Sequence, residues 1–352
     1  MKKIYWIVNQ LNIDDASISA IEIANRLVQY RSVSIIVLGS NLNVDSNVSG
    51  KIDIIYLDID NKNYELDNLS SYFKTNKKEL KERISELTTK NDIIISTSFL
   101  SSYIVPKGRR FLYYYLGNKE AFLSFKEKQK RKKHRVPDNF IFTSEKLKES
   151  LDKKKKYRGS YQIFPCSTLY PLLDLNSYNN TISYVYSSGD DYLLPINLAI
   201  KLKENGINYK FNYYANDEIL KKINGIIVEN GLNKIINRIN EYELSSVFKQ
   251  CDLFISVDKK NSIPLLVVEA FSQGKPIIGF NNEATGEGNS IIIDLKNINN
   301  TISEVKELFV KQKRLEKFKQ NAFNSAFRYS KDMIVAKWLD ILEIEDNLIH
   351  KE

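Results

Sequence analysis

Residues 259–278 (KKNSIPLLVVEAFSQGKPII) hold the chain's densest set of groups with a chemical use. Ser262 is placed to cap a helix, and Pro264 falls in its first turn, where a missing N–H costs nothing. Leu265, Leu266 and Val268 give that helix an apolar face. Gly274 is placed to end it in a left-handed conformation, and Pro276 prevents its resumption. At the start of such a helix, free backbone N–H groups and the positive end of the dipole converge, which suits a diphosphate. Lys259, Lys260, Asn261 and Ile263 belong to the loop that leads into it, so two ammonium groups can meet the same anion. Glu269 is the segment's one acid. By itself it reads as an ordinary acid on a structural helix.

Those groups need strands to hold them. The chain alternates strand and helix throughout, the pattern of parallel sheets with helical crossovers. The first half reads strands at 3–8, 33–38, 52–56, 92–96, 110–115 and 139–143, helices at 17–30 and 66–87, and a helix opening at Ser144. The second half reads strands at 181–186, 211–214, 233–239, 252–257, 277–280 and 290–293, with helices at 194–205, 217–230 and 241–250. Residues 327–343 (FRYSKDMIVAKWLDILE) read as a closing helix. The expected class is α/β, with Rossmann-like doubly wound domains over 1–168 and 181–326, a polar linker between them, and a closing segment over 327–352. Two such domains facing one another would put a cleft at the carboxyl ends of their strands.

Composition narrows the functions. A chain of 352 residues suits two cores, and 43% hydrophobic with 27% charged residues is a soluble globular balance. No run is long enough to cross a bilayer, and the start turns polar too early for a signal peptide. Cys166 and Cys251 read as reduced core thiols of a cytoplasmic protein. Only His134 and His350 are present, which argues against a histidine metal site or a Ser-His-Asp triad. The net charge of +9 is concentrated, with seven Lys or Arg in 126–135 (KEKQKRKKHR) and four in 153–156. Such a run is either a solvated helix face or a contact for an anionic membrane surface, worth about 1 kcal/mol per residue near the headgroups. Without interleaved aromatics or a reading motif, it argues against nucleic acid.

With these elements in place, the 261–278 segment resembles the donor-sugar motif of the family 4 glycosyltransferases, which have the two-Rossmann GT-B fold. Glu269 and Ala270 match the second half of the motif, and Ser262, Ile263 and Pro264 match its loop. Asn261 stands where the family has its first Glu. The resemblance implies that Glu269 holds the ribose hydroxyls of a nucleotide sugar, UDP-hexose first, with no cofactor and no metal. It makes 1–168 the acceptor side and 181–326 the donor side, and sends the closing helix back to the first domain.

The departures from the family are specific. Residues 11–27 (LNIDDASISAIEIANRL) match its first loop and helix in placement, yet carry Asp14, Asp15 and Ala16 where the family has a glycine-rich turn. Asp14 or Asp15 binds an acceptor hydroxyl there or caps the helix. The family's Arg and Lys are missing from 187–192 (SSGDDY), which offers Gly189 beside Asp190 and Asp191. Carboxylates there repel a diphosphate unless the loop points away or a divalent metal intervenes. The position that often carries a histidine reads Leu116, Gly117, Asn118, Lys119 and Glu120. Tyr114, Tyr115, Asn118 and Glu120 become the cleft candidates on that side, and Asn261, Asn118 and Glu120 the catalytic ones. Lys259 and Lys260 lead the replacement cations, followed by Arg238, Lys119, Arg109, Arg110 and Lys275.

The resemblance therefore implies a retaining transferase moving a hexose to a glycan or lipid-linked saccharide in bacterial surface polysaccharide or glycoprotein synthesis. It would work in the cytoplasm or at the inner membrane face, through 126–135. The same departures support an alternative, a degenerate GT-B protein acting as partner or glycan-binding subunit of another glycosyltransferase. A nucleotide-binding module of unrelated role is the third reading.

Overall fold

The computed structural model describes residues 2–9, 11, 15–38, 48–57, 66–97, 104–115, 137–145, 148–149, 160–175, 178–187, 190–258, 263–286 and 288–349. The chain divides into two compact units. The first is Met1–Thr168 with Lys260–Ile263 and Tyr329–Glu352, and the second is Leu169–Lys259 with Pro264–Arg328.

The first unit carries strands β1 (Lys3–Val8), β2 (Ser32–Val37), β3 (Asp53–Tyr56), β4 (Ile93–Ser96), β5 (Arg110–Tyr115), β6 (Asn139–Phe142) and β7 (Ser160–Gln162). They form one sheet in the order β3-β2-β1-β4-β5-β6-β7, with every neighbouring pair parallel. Continuous apolar runs such as KIYWIV and IIIS suit strands covered on both faces. Helix α1 (Asp15–Leu27) buries Ala20, Ile21, Ile23, Ala24 and Leu27 in that core, and α2 (Leu66–Leu87) buries Leu80 and Ile84 in the other apolar cluster of the unit.

The second unit repeats the plan. Its elements are β8 (Thr181–Val185), α3 (Leu194–Glu204), β9 (Lys210–Tyr214), α4 (Asp217–Glu229), β10 (Ile236–Ile239), α5 (Leu244–Lys249), β11 (Leu253–Ser256), α6 (Leu265–Ser272), β12 (Ile277–Gly279), β13 (Ser290–Ile292), α7 (Ile298–Val310) and α8 (Gln312–Ala326). The sheet order is β10-β9-β8-β11-β12-β13, again all parallel. Both units thus have the doubly wound strand order that reverses direction beside their first strand.

Helix α6 starts later than the sequence suggests. Pro264 is its N-cap, extended at φ −65° and ψ 139°, with no side-chain cap. A proline keeps the residue before it out of helical conformation, so the helix cannot begin at Ser262, which lies outside the described residues. Its end is as expected. Gly274 is left-handed (φ 63°), with Lys275 N–H bonded to Ala270 O at 2.8 Å and Gly274 N–H to Phe271 O at 2.9 Å. This is a Schellman closure.

After a 3-10 turn at Phe327–Tyr329, α9 (Lys331–Ile349) runs beyond the expected end at 343 and belongs to the first unit. Trp338 packs on Trp6 and Tyr114, with ring centroids 5.0 and 5.5 Å away. Glu345, fully buried, accepts from Arg110 Nε, from Asn139 Nδ2 at 2.5 Å and from Tyr161 OH at 2.7 Å. Strand β7 and helices α7 and α8 have no counterpart in the sequence reading.

Candidate functional site

In the second unit the strand order turns at β8, which has β9 on one side and β11 on the other. Crossovers leave β8 and β11 toward opposite edges, so the loops after these two strands part at their carboxyl ends. That is the switch point where doubly wound sheets take ligands. The two loops are 186–193 and 257–264, both singled out by sequence. Helices α3 and α6 start from them.

The acids of the first loop are turned onto the loop itself. Asp190 Oδ2 accepts from Tyr184 OH at 3.1 Å and from Ser187 N–H at 3.2 Å. Asp191 Oδ1 accepts from the N–H groups of Leu193 and Leu194 at 3.2 and 3.3 Å, at the start of α3. Burial, then the charge of Asp190, raises the Tyr184 pKa, so its phenol remains a neutral donor. The α3 terminus already carries a carboxylate where a helix dipole favours an anion, so a diphosphate there would have to displace Asp191. Gly189 lies outside the described residues.

The second loop feeds α6. Ile263 is buried, while Lys259, Lys260, Asn261 and Ser262 lie outside the described residues. Glu269 has no exposed surface, and its Oε2 accepts the N–H of Leu169 at 3.1 Å. The same side of α6 holds the following residues: Leu172 N–H bonds to Ser272 O at 2.9 Å, and Gln273 Nε2 donates to Tyr170 O at 2.6 Å. Residues 169–172 are thus strapped to α6 at three points, and Glu269 is one of them.

A third loop, after β12, was missed by sequence. Asn282 Oδ1 accepts from Ala284 N–H at 2.8 Å and Thr285 N–H at 3.1 Å, and Thr285 Oγ1 accepts from Asn282 N–H at 2.8 Å. The signal was present in NNEATG, an Asn/Thr/Gly cluster directly after an apolar strand. The carboxyl ends of β11 and β12 are close here. A Cβ built on Gly279 would lie 2.8 Å from Ser256 O, so only glycine fits.

Several expected cations are elsewhere. Lys275 precedes β12 at the amino end of the sheet and is buried there, which pushes its pKa down. Arg109 precedes β5 and donates to Thr88 O at 2.7 Å, while Arg110 is held by Glu345; both mark the amino end of β5. None of the three reaches a strand carboxyl end. Arg238 is exposed on edge strand β10, two strands from β8, and donates to Asn224 Oδ1 on α4. Sequence overlooked Lys222 on α4. It is exposed and pairs with Glu218 at 2.5 Å, which raises its pKa.

On the first unit, Tyr114 is fully buried, with its hydroxyl 3.0 Å from Ser19 Oγ. It therefore fixes the first turns of α1 from within the core and presents no surface to an acceptor. Asp15 and Tyr115 enter as backbone of α1 and β5, and Asp14, Asn118, Lys119, Glu120 and 126–135 lie outside the described residues. Among the described residues no group of three or more His, Cys, Asp or Glu could hold a metal, and no helix is long and apolar enough to cross a membrane.

No family model matches the sequence, and no curated protein matches it. Solved structures do match. The pneumococcal O-GlcNAc transferase GtfA, in complex with UDP and GlcNAc, is 12% identical over 98% of this chain and 99% of its own, with a TM-score of 0.77. S. aureus TarM, in a complex containing UDP, is 11% identical over 97% and 99%, with a TM-score of 0.73. A GtfA/B complex aligns over 80% of this chain and 60% of its own, at 16% identity and a TM-score of 0.59. These likenesses establish the fold: two Rossmann-like units and a C-terminal helix returning to the first, the GT-B architecture.

Proposed function

We propose that the protein is a glycosyltransferase that moves a hexose from a nucleoside-diphosphate sugar, UDP-hexose first, to a glycan or lipid-linked saccharide of a bacterial surface polysaccharide or glycoprotein. The observation that carries this reading is the pair of switch-point loops of the second unit, from one of which springs the helix that holds Glu269. Structures of the same fold, GtfA and TarM, hold UDP, which supports a nucleotide-sugar donor.

In this reading Glu269 accepts the ribose hydroxyls, while Lys259, Lys260, Asn261, Ser262, Ile263 and Pro264 frame the diphosphate at the start of α6. Gly189 is the donor-side residue of the first loop. Arg238 contributes long-range field from the edge of the sheet. Transfer is retaining and metal-independent, and the acceptor is met by Asp14, Asp15 and Tyr115, with Asn118, Glu120 and Asn261 as the catalytic candidates. Its working place is the cytoplasm or the inner face of a membrane, where the basic run 126–135 is the candidate contact for anionic lipid.

Calorimetric titration of the full chain with UDP, GDP and their hexose conjugates tests the reading, together with mass-spectrometric detection of donor hydrolysis. Binding of one nucleotide and its sugar conjugate supports it. Absence of any nucleotide binding ends it. Binding to anionic vesicles that weakens with salt, and with neutralisation of Lys130, Arg131, Lys132 and Lys133, tests the membrane contact.

One observation favours a second reading. Asp191 occupies the α3 terminus, so the first loop offers a diphosphate an acid where a cation is needed. A subunit that binds glycan and serves a partner glycosyltransferase has no need of that cation, and the GtfA/B complex supports such pairing. This reading expects no hydrolysis or transfer from the isolated chain, and activity from a co-purified transferase that falls when the chain is removed.

A further inference from the structure

A groove of about 1020 Å3 in the second unit runs along the outer side of β13 and reaches the loop after β12 at Asn281, Thr285 and Gly286. Among the described residues β13 pairs only with β12. The ladder fixes which backbone groups turn outward. Ile277 N–H bonds to Asn289 O at 3.2 Å and Ile293 N–H to Gly279 O at 2.8 Å, so Asn289, Ile291 and Ile293 face β12. In a parallel ladder the alternate residues, Ser290 and Ile292, then direct their N–H and C=O into the groove. Thr301 Oγ1 donates to Ile292 O at 3.2 Å. Ser290 N–H, Ser290 C=O and Ile292 N–H remain without a partner among the described residues.

Edge strands are usually blunted by charge or proline. Here β10 carries exposed Asn237 and Arg238, and β3 carries Asp53 paired with Lys3 at 2.9 Å. Strand β13 reads Ser-Ile-Ile, with no charge or proline, and Ile292 is 41% exposed. Across the groove, α8 presents Phe318 at the floor and Asn321, Arg314 and Lys317 along the wall. Arg314 is neutralised by Glu304 and Glu307. Among the described residues Lys317 is exposed and forms no ion pair, so it carries the unbalanced charge of the described lining.

We propose that this groove receives an extended, acidic polypeptide segment that joins the sheet beyond β13, with an aliphatic side chain over Ile292 and a carboxylate toward Lys317. Main-chain pairing supplies the affinity, and the alternate side chains supply the choice. The groove borders the loop after β12 but includes none of the residues assigned to the nucleotide above, and it does not depend on that assignment.

The test is selection of a random hexapeptide display library on the full-length chain, with counter-selection on Ile292→Pro. That substitution removes the outward N–H together with the isoleucine side chain, at a position where an edge strand tolerates proline. The expected winners alternate β-branched residues with Asp or Glu. A fluorescein-labelled winner should bind at least tenfold more weakly to Ile292→Pro and to Lys317→Glu. N-methylation of its alternate amides should abolish binding in one register and spare it in the other. Should Ile292→Pro fail to fold, the Lys317→Glu and N-methyl arms still decide. The proposal is overturned by a library without discriminating winners, by binding that survives N-methylation in both registers, or by displacement of the peptide by a neutral oligosaccharide such as chitohexaose.

Discussion

Replacing Glu269 by glutamine and by alanine separates its two duties. The buried carboxylate accepts Leu169 N–H at 3.1 Å. Alanine leaves that N–H unpaired beside a cavity, at a cost of about 2–4 kcal/mol of stability. Glutamine keeps the shape and one carbonyl acceptor, so the strap hydrogen bond only exchanges a charged partner for a neutral one, a loss of about 1 kcal/mol. Donor binding responds differently. If the carboxylate also grips two ribose hydroxyls, each exchange costs about 1–1.5 kcal/mol, which together weaken UDP roughly 30–150-fold. The assay is calorimetry of wild-type, Glu269→Gln and Glu269→Ala proteins with UDP and with 2′,3′-dideoxy-UDP, alongside urea denaturation. Glutamine should lose UDP affinity, keep most stability, and leave the already weakened dideoxy ligand unchanged. A glutamine variant that binds UDP within twofold of wild type refutes the ribose assignment and leaves Glu269 as an anchor of the strap alone.

Three further outcomes are expected. Lys319 and Asp252 form a fully buried pair at 2.8 Å, and Asp252 also accepts the N–H groups of Asn179 and Thr181. Lys319→Met should therefore cost about 3–5 kcal/mol in urea denaturation, with part recovered in Lys319→Met/Asp252→Asn. Gly279→Ala drives a Cβ against Ser256 O and should destabilise by about 1–3 kcal/mol, whereas Gly225→Ala, with open space inside α4, should stabilise by about 0.5–1 kcal/mol. Burial pushes the Cys251 thiol up to about 11 from 9.0, so the folded chain keeps a proton that the unfolded chain loses as pH rises. Stability should fall between pH 9 and 11 by about 3 kcal/mol from this group. Lys275, its pKa lowered by burial, contributes a smaller opposite trend below pH 10.5, and urea midpoints should show a shallower decline in Cys251→Ala.

The alternation of strands and helices was readable because several central strands are mainly apolar runs bounded by polar turns, as in IIIS and LFIS. Strand β7 is three residues, SYQ, and nothing in its composition separates it from a loop. Helix α8 was hidden by charge. Its buried residues Leu315, Phe318, Ala322 and Ala326 are spaced among lysines, and one of those lysines, Lys319, is itself buried by a partner 67 positions away. The same blindness affected the cation search. A lysine or arginine in a sequence does not declare which end of a strand it occupies, and Arg109, Arg110 and Lys275 fell at the amino ends. Tyr114 lay in a run of three tyrosines, and only its pairing with Ser19 and the two tryptophans reveals it as core. The acids of 187–192 looked hostile to a diphosphate, yet their capping and turn bonds are local geometry that pattern alone does not resolve.

The return of α9 has a consequence for biogenesis. Strands β1, β5, β6 and β7 share one core with α9, since Trp338 closes over Trp6 and Glu345 locks Arg110, Asn139 and Tyr161. During vectorial synthesis the first unit must wait, with an apolar seam uncovered, until α9 has left the ribosome. The carboxy-terminal unit, whose described elements end at α8, meets no such delay and is complete earlier, although its sequence is translated later.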